Sequence, residues 1–288
     1  VALIYDCGSE PNVRIGSLLQ DRNLGAHVMV DLMLSRHFAV LGTTGSGKST
    51  AVALLLRAIL SENRCGHVVL LDPHAEYQVA LSDMAESIDL TSLKIPCWML
   101  NFEEMGAIMV PPGETQERDM QLSILKDAII EAKVNYGGPA RDTSYITVDT
   151  PVPYRIGELP KLIERAMARP NRPTGVGPFI RLTERLGHLE RDRRYEFLFA
   201  GFQIRDELPI LMSRILKVPV SGTPLTILDL SGVPSEIVDV VVSLLCRIIF
   251  DFALWSDHDK SPPILVVCEE AHRYVPENTE EGFAATRR

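Results

Sequence analysis

Apolar residues in this chain fall into short unbroken runs bounded by turn residues and longer stretches with helical spacing. His37-Phe-Ala-Val-Leu41 is a short apolar run that stops at Gly42, which predicts a buried strand. Ser49 to Leu60 is nearly continuous Ala, Val, Leu and Ile, with Gly66 beyond its end, which predicts a buried helix. His67-Val-Val-Leu-Leu71 predicts a second buried strand, ended by Asp72-Pro73. Strand, loop, helix and strand form a βαβ unit and imply a parallel sheet covered on both faces. The pattern returns late in the chain. Pro224 to Leu230 predicts a strand, and Gly232, Pro234 and Ser235 a turn into a long helix, Glu236 to Leu254. Pro263 to Val267 predicts another buried strand, which delivers Cys268-Glu269-Glu270.

The middle differs. Thr115 to Tyr136 is helical and ends at Gly137-Gly138-Pro139, and Glu158 to Ala168 is a second helix stopped before Pro170. Phe179, Leu182, Leu186 and Leu189 step at helical spacing along a third. Pro151, Pro153, Pro170, Pro173 and Pro178 punctuate them, so residues 101–220 read as a helical insertion in the sheet. Before the first βαβ unit, Val1-Ala-Leu-Ile-Tyr5, Val13-Arg-Ile15 and His27-Val-Met-Val30 read as short strands that make no domain by themselves. The fold class expected is α/β.

Composition narrows this. In 288 residues, 46% apolar and 23% charged, there is ample material for a core. The longest apolar stretch, Ile237 to Trp255, is interrupted by Asp239, Arg247 and Asp251, which argues against a membrane span and for a buried or amphipathic helix. Cys7, Cys65, Cys97, Cys246 and Cys268 are scattered without CxxC spacing, which points to reduced thiols in the cytoplasm, not to a zinc site or disulfide framework. No signal peptide is visible. The chain starts at Val1 and stops at Arg288 within a charged, helix-like stretch, so it reads as a piece of a longer protein. Its net charge, 29 minus 38 or −9, excludes nucleic-acid binding by bulk electrostatics. A local patch remains in Lys161, Arg165, Arg169, Arg172, Arg181, Arg185, Arg191, Arg193 and Arg194, which reads equally as a solvated helical face.

The chemistry concentrates at two places. Gly42-Thr43-Thr44-Gly45-Ser46-Gly47-Lys48-Ser49, followed by Thr50, is a complete Walker A pattern set between a predicted strand and a predicted helix. Phosphate needs several backbone N–H donors converging on it, and glycines permit that wrap. In this pattern the helix end faces the phosphates, Lys48 reaches them and the Ser49 hydroxyl ligates Mg²⁺, which makes ATP the expected ligand. Glu269 and Glu270 follow an apolar strand, where one acid holds Mg²⁺ and the next acts on the attacking water. Asp more often fills the first of these positions; Glu269 stands there in this chain. The alternative for the pair is the start of a helix, favoured by its dipole. Asp72, with His74 and Glu76, sits where ligands bind in open α/β sheets, which suggests a coupling role or simply a turn. Arg36, Arg287 and Arg288 are candidates for an arginine that reaches the γ-phosphate across a subunit boundary.

Three segments together carry a family resemblance. Arg36 to Thr50 resembles the Walker A region of the HerA-like ATPases of the FtsK–HerA group, Leu71-Asp-Pro-His-Ala-Glu-Tyr77 its second-strand motif, and Val266 to Pro276 its Walker B region. Ile15-Gly-Ser-Leu18 resembles the exit from that family's N-terminal β-barrel. The resemblance implies a RecA-like P-loop NTPase core, arranged as residues 1–35 ending the barrel-like region, 36–100 the first part of the core, 101–220 the insertion and 221–288 a truncated second part. It implies ATP and Mg²⁺ as cofactors, with Lys48 and Ser49 on phosphates and metal, Glu269 on the metal and Glu270 on water. It also implies a homo-hexameric ring that moves double-stranded DNA, working with a NurA-like nuclease or another effector protein in DNA end processing or defence. Most of the barrel, a later core strand and the arginine finger would then lie outside the chain. A nucleotide-gated ring that assembles a partner with little DNA-dependent turnover is the alternative, favoured by Glu269 in place of Asp and by the acidic balance. A conjugation or secretion ATPase would share the same core.

Overall fold

The computed structural model describes residues 10–93, 95–111, 114–137, 143–170, 175–199, 208–218, 222–256 and 262–274. The expected strand at Val1–Tyr5, together with Cys7, Arg172, Arg287 and Arg288, lies outside them. In chain order the elements are β1 (Asn12–Ser17), β2 (Gly25–Met29), α1 (Val30–Leu34), α2 (Lys48–Glu62), β3 (His67–Asp72), β4 (Ala85–Asp89), α3 (Phe102–Met109), α4 (Thr115–Gly137), α5 (Leu159–Met167), α6 (Gly177–Arg191), α7 (Glu196–Phe199), α8 (Leu208–Leu216), β5 (Leu225–Asp229), α9 (Val238–Trp255) and β6 (Ile264–Cys268). The chain divides into two compact units, one of residues 1–88, 208–231 and 256–269, the other of 89–207, 232–255 and 270–288.

The first unit holds the sheet, in the order β4-β5-β3-β6, with β3 parallel to both β5 and β6. β3 is buried on both faces from Val68 to Asp72, as expected for an interior strand of a parallel sheet. Alternate residues Val68 and Leu70 of β3 and Leu225 and Ile227 of β5 pack with Ala53, Leu56 and Leu60 of α2 in one core, which Tyr77 and Leu81 complete. α2 is not buried all round: Leu54, predicted to be inside, is exposed. A second face of α2, through Ile59, packs on Val13 of β1 and Val30 of α1. β1 and β2 form their own antiparallel pair.

Two departures from the sequence pattern have clear causes. No strand forms at 37–41, where Phe38 is 41%, Val40 38% and Leu41 90% exposed. Apolar composition makes a strand only where the backbone also joins a ladder, and among the described residues 37–41 pairs with no strand, which leaves one edge of β6 open. β6, expected to be buried, is accordingly half-buried along its length. Conversely β4, Ala-Glu-Ser-Ile-Asp, has no apolar run to announce it. It is held by tertiary contacts: Glu86 accepts from Arg214 at 2.7 Å and pairs with buried Lys217. Burial pushes the Glu86 carboxyl up, but its hydrogen bonds to Lys217 and Arg214 outweigh this and leave it below its ordinary value.

The described residues of the second unit are mainly helical, with α4, α5 and α6 packed together and Leu125, Ile129, Leu162, Phe179 and Leu186 buried on them. Within it, α9 is tied to α3. Glu104 closes a capping box with Asn101 at the start of α3, accepts from Ser243 at 3.1 Å, and pairs with Arg247 at 2.8 Å. Arg247 also donates to the Met99 carbonyl and lies 3.8 Å from Asp251, so two of the charges that interrupt the α9 apolar run are paired. No helix among the described residues is long and apolar enough to cross a membrane. Five arginines on and beside α5 and α6 have local partners. Arg165 meets Glu131 at 3.2 Å, Arg181 pairs with Glu117, Arg185 donates to the Ile108 carbonyl at 3.0 Å, Arg191 to the Gly187 carbonyl at 2.8 Å, and Arg194 pairs with Asp192 at 2.7 Å.

Lys133 of α4 is 1% exposed and donates to the Val148 and Thr150 carbonyls at 2.5 and 2.7 Å, over the Tyr154 ring. Burial pulls its ammonium down to about 8, against a weaker upward pull from Asp149. Below about pH 8 both folded and unfolded chains carry the charge, and the folded state bears the full penalty. Between about 8 and the ordinary 10.5 the folded lysine releases a proton that the unfolded one keeps, so stability rises with pH. Urea melts at pH 7.5 and 9.5 are expected to show the wild type gaining about 2 kcal/mol relative to Lys133→Met. Parallel behaviour of the two proteins would contradict the assignment.

Candidate functional site

The C-terminal ends of β3 and β6 lie level because the strands pair from His67 opposite Ile264 to Leu71 opposite Cys268. The Glu269 amide then donates to the Leu71 carbonyl at 3.2 Å, so Glu269 emerges beside the turn that follows Asp72. Asp72 is fully buried, and its carboxylate accepts from the amides of His74 at 3.2 Å and Tyr77 at 3.0 Å. These bonds fold Asp72 to Tyr77 back on itself, with Ala75 in the left-handed region at φ 55°. Glu76 and Tyr77 thereby reach two different groups. The Tyr77 hydroxyl donates to Glu269 Oε2 at 2.5 Å, and the Ser49 hydroxyl donates to Glu76 Oε2 at 2.6 Å. Glu269 Oε1 is 3.4 Å from Ser49 Oγ. Burial, and then the hydrogen bond to Glu269, hold the Tyr77 phenol above its ordinary value, so it stays a donor at neutral pH.

Ser49 comes from the first turn of α2, immediately after the glycine-rich loop. Gly45 and Gly47 sit at φ 78° and 88°, which only glycine adopts freely. A Cβ at Gly42 would lie 2.5 Å from Ser46 Oγ and 3.2 Å from Lys48 Cγ, so a side chain there would force both to move. The Ser46 amide donates to the Thr43 carbonyl at 3.1 Å, and the Lys48 ammonium rests on that carbonyl at 3.2 Å. The N-cap of α2 is Gly47, which supplies no side-chain acceptor to the helix's first amides. A helix start with an uncapped N-terminus, a lysine at its mouth and exposed Thr43 and Thr44 beside it is arranged to receive an anion. The oxygens of Ser49, Glu269 and Glu76 next to it are the hard donors that suit Mg²⁺.

Among the other expected residues, Thr50 is exposed on α2. Glu270 belongs to the second unit. It holds the left-handed region at φ 52°, begins a single turn, Ala271–Arg273, instead of a long helix, and lies 3.1 Å from His272 Nδ1. Arg36 is exposed after α1, and none of its described contacts is with the loop. Tyr77 was missed as a functional candidate. The signal available was an aromatic hydroxyl directly after an acid in a strand-end motif.

Comparison with known proteins decides the family. A profile described as the central domain of helicase HerA matches residues 13–249, well over half of the chain. The chain belongs to the HerA central-domain family. The resemblance drawn from the three motifs is thus borne out, as is the α/β P-loop NTPase fold. The DNA double-strand break repair helicase HerA of Pyrococcus furiosus is 36% identical over 129 residues, which is 44% of this chain and 23% of that protein. A probable helicase of Methanocaldococcus jannaschii is 22% identical over 273 residues, 93% of this chain and 48% of that one. The chain therefore spans at most about half the length of these curated relatives. In fold it resembles VirB4 of Thermoanaerobacter pseudethanolicus, with a TM-score of 0.56 at 17% identity over 92% of this chain and 68% of that one.

Proposed function

We propose that this chain binds and hydrolyses ATP with Mg²⁺ as the motor segment of a HerA-type machine acting on double-stranded DNA. The observation that carries the reading is the convergence of Ser49 and Glu269 beside the uncapped, glycine-led start of α2, at the C-terminal ends of parallel strands. The loop amides of residues 42–49 and Lys48 bind the phosphates. Ser49 and Glu269 hold the metal, and Glu270 orients the attacking water and takes up its proton. Magnesium, when bound, neutralises charge that develops on the phosphates. Membership of a helicase family supports DNA as the substrate, and the names of the relatives support a role at DNA ends. We place the working form in a homo-hexamer, with duplex in its pore and a NurA-like nuclease or another effector as partner, in the cytoplasm. The net charge of −9 confines DNA contact to local surfaces such as a pore lining.

ATP turnover of the full-length protein, measured with and without linear double-stranded DNA, tests this reading. Strong stimulation by the duplex is expected, and Lys48→Ala is expected to reduce turnover to background by removing the phosphate contact. Near-normal turnover in that variant would sink the phosphate-loop assignment. Slow turnover indifferent to DNA would favour a nucleotide-gated assembly module, as the glutamate at 269 suggests.

Glu270→Gln is expected to retain ATP on the protein, since binding survives while water activation fails. A filter-binding assay that finds rapid hydrolysis and no retained ATP would remove Glu270 from the role of activating acid.

A further inference from the structure

A glutamate at position 269 has one more rotatable bond than the aspartate more usual there, and each free torsion blurs where its carboxylate points. The structure removes that freedom in a specific way. Glu269 is buried, and its Oε2 is held by the hydroxyl of Tyr77, itself 1% exposed and packed among Leu56, Leu60, Leu70 and Leu81. The tyrosine is in turn fixed by the hydrogen bond its backbone amide donates to the buried Asp72 carboxylate. The neighbouring residue Glu76 acts on the other half of the site. Ser49 has one hydroxyl proton, and Glu76 Oε2 at 2.6 Å takes it in preference to Glu269 Oε1 at 3.4 Å. Glu269 Oε1 is left without that proton and pointing at the Ser49 oxygen, while Oε2 is anchored.

We propose that Tyr77 is a positioning residue that clamps Glu269 toward the metal, with Glu76 accepting the Ser49 proton. The turn Asp72–Tyr77 is the device that lets a glutamate serve as the metal-holding acid. This rests on the nucleotide and Mg²⁺ reading above and adds roles for two residues whose side chains touch the expected metal-holding groups. Asp72 carries the turn from below, since its carboxylate is spent on the amides of His74 and Tyr77.

The test uses the full-length protein and a fluorescent ATP analogue. Binding is measured in EDTA and then across a Mg²⁺ titration, for wild type, Tyr77→Phe, Glu269→Asp and the double variant. Tyr77→Phe keeps the ring in the core and removes only the hydroxyl. It is expected to bind the analogue in EDTA within about twofold of wild type and to need about tenfold more Mg²⁺ at the midpoint. In the Glu269→Asp background, where the shorter acid needs no clamp, the same change is expected to shift the midpoint by less than about twofold. An unchanged Mg²⁺ midpoint in Tyr77→Phe would overturn the proposal. So would equal weakening with and without metal, or an undiminished shift in the Glu269→Asp background, since those mark a general packing defect. Wild type that binds no analogue in either condition overturns the nucleotide reading, and this inference with it.

Discussion

The amide of Glu269 bonds to the carbonyl of Leu71, the rung at which the parallel ladder between β3 and β6 ends, and the candidate site depends on that rung. A parallel ladder delivers two strand ends to the same edge of a sheet, where the chain must leave the strand and its polar groups need new partners. Asp72 on one strand and Glu269 after the other are two acids placed at that edge. The fold manages them differently. Asp72 is spent inward on backbone amides and shapes a turn, whereas Glu269 is left with one oxygen directed at Ser49. A shift in register by one residue would point Glu269 to the opposite face, away from Tyr77 and Ser49.

The glycine-rich loop depends on the same sheet less directly. Its position comes from α2, whose Ala53, Leu56 and Leu60 lie on the alternate residues of β3 and β5. The helix start is thereby fixed while the loop before it stays open to solvent. Lysine on a backbone carbonyl, glycines at positive φ and an uncapped helix form a surface with donors in excess of acceptors, which is how a protein of net charge −9 can present a local anion site. Five arginines on and beside α5 and α6, by contrast, are engaged with neighbouring acids and carbonyls, so the number of basic residues there overstates the charge offered to a polyanion.

Much of this was legible in the residues, and the exceptions are instructive. Long helical stretches appear where expected: Thr115 to Tyr136 buries Leu125, Ile129 and Ala132 at helical spacing, and the run ending at Trp255 is buried all round from Val240 to Leu245. β3 and β5 were readable as apolar runs between turn signals. The segment at 37–41 has the same signature without becoming a strand, because periodicity reports a wish for burial and says nothing about the neighbour that must supply hydrogen bonds. β4 was invisible for the opposite reason, its place being set by Glu86 with Arg214 and Lys217 far along the chain. At the site, motif spacing named Ser49, Asp72, Glu76 and Glu269. It could not show that Tyr77, 192 residues away from Glu269, is the group that fixes this acid, because that contact exists only through the strand register.

The most direct test of the account is a crystal structure of the full-length protein with Mn²⁺ and a non-hydrolysable ATP analogue, with the ion located by its anomalous scattering. The account predicts phosphates on the amides of residues 42–49, the ion beside Ser49 and Glu269, and the Tyr77 hydroxyl still on Glu269 Oε2. An ion held away from Ser49 and Glu269, or a nucleotide bound elsewhere on the chain, would contradict it.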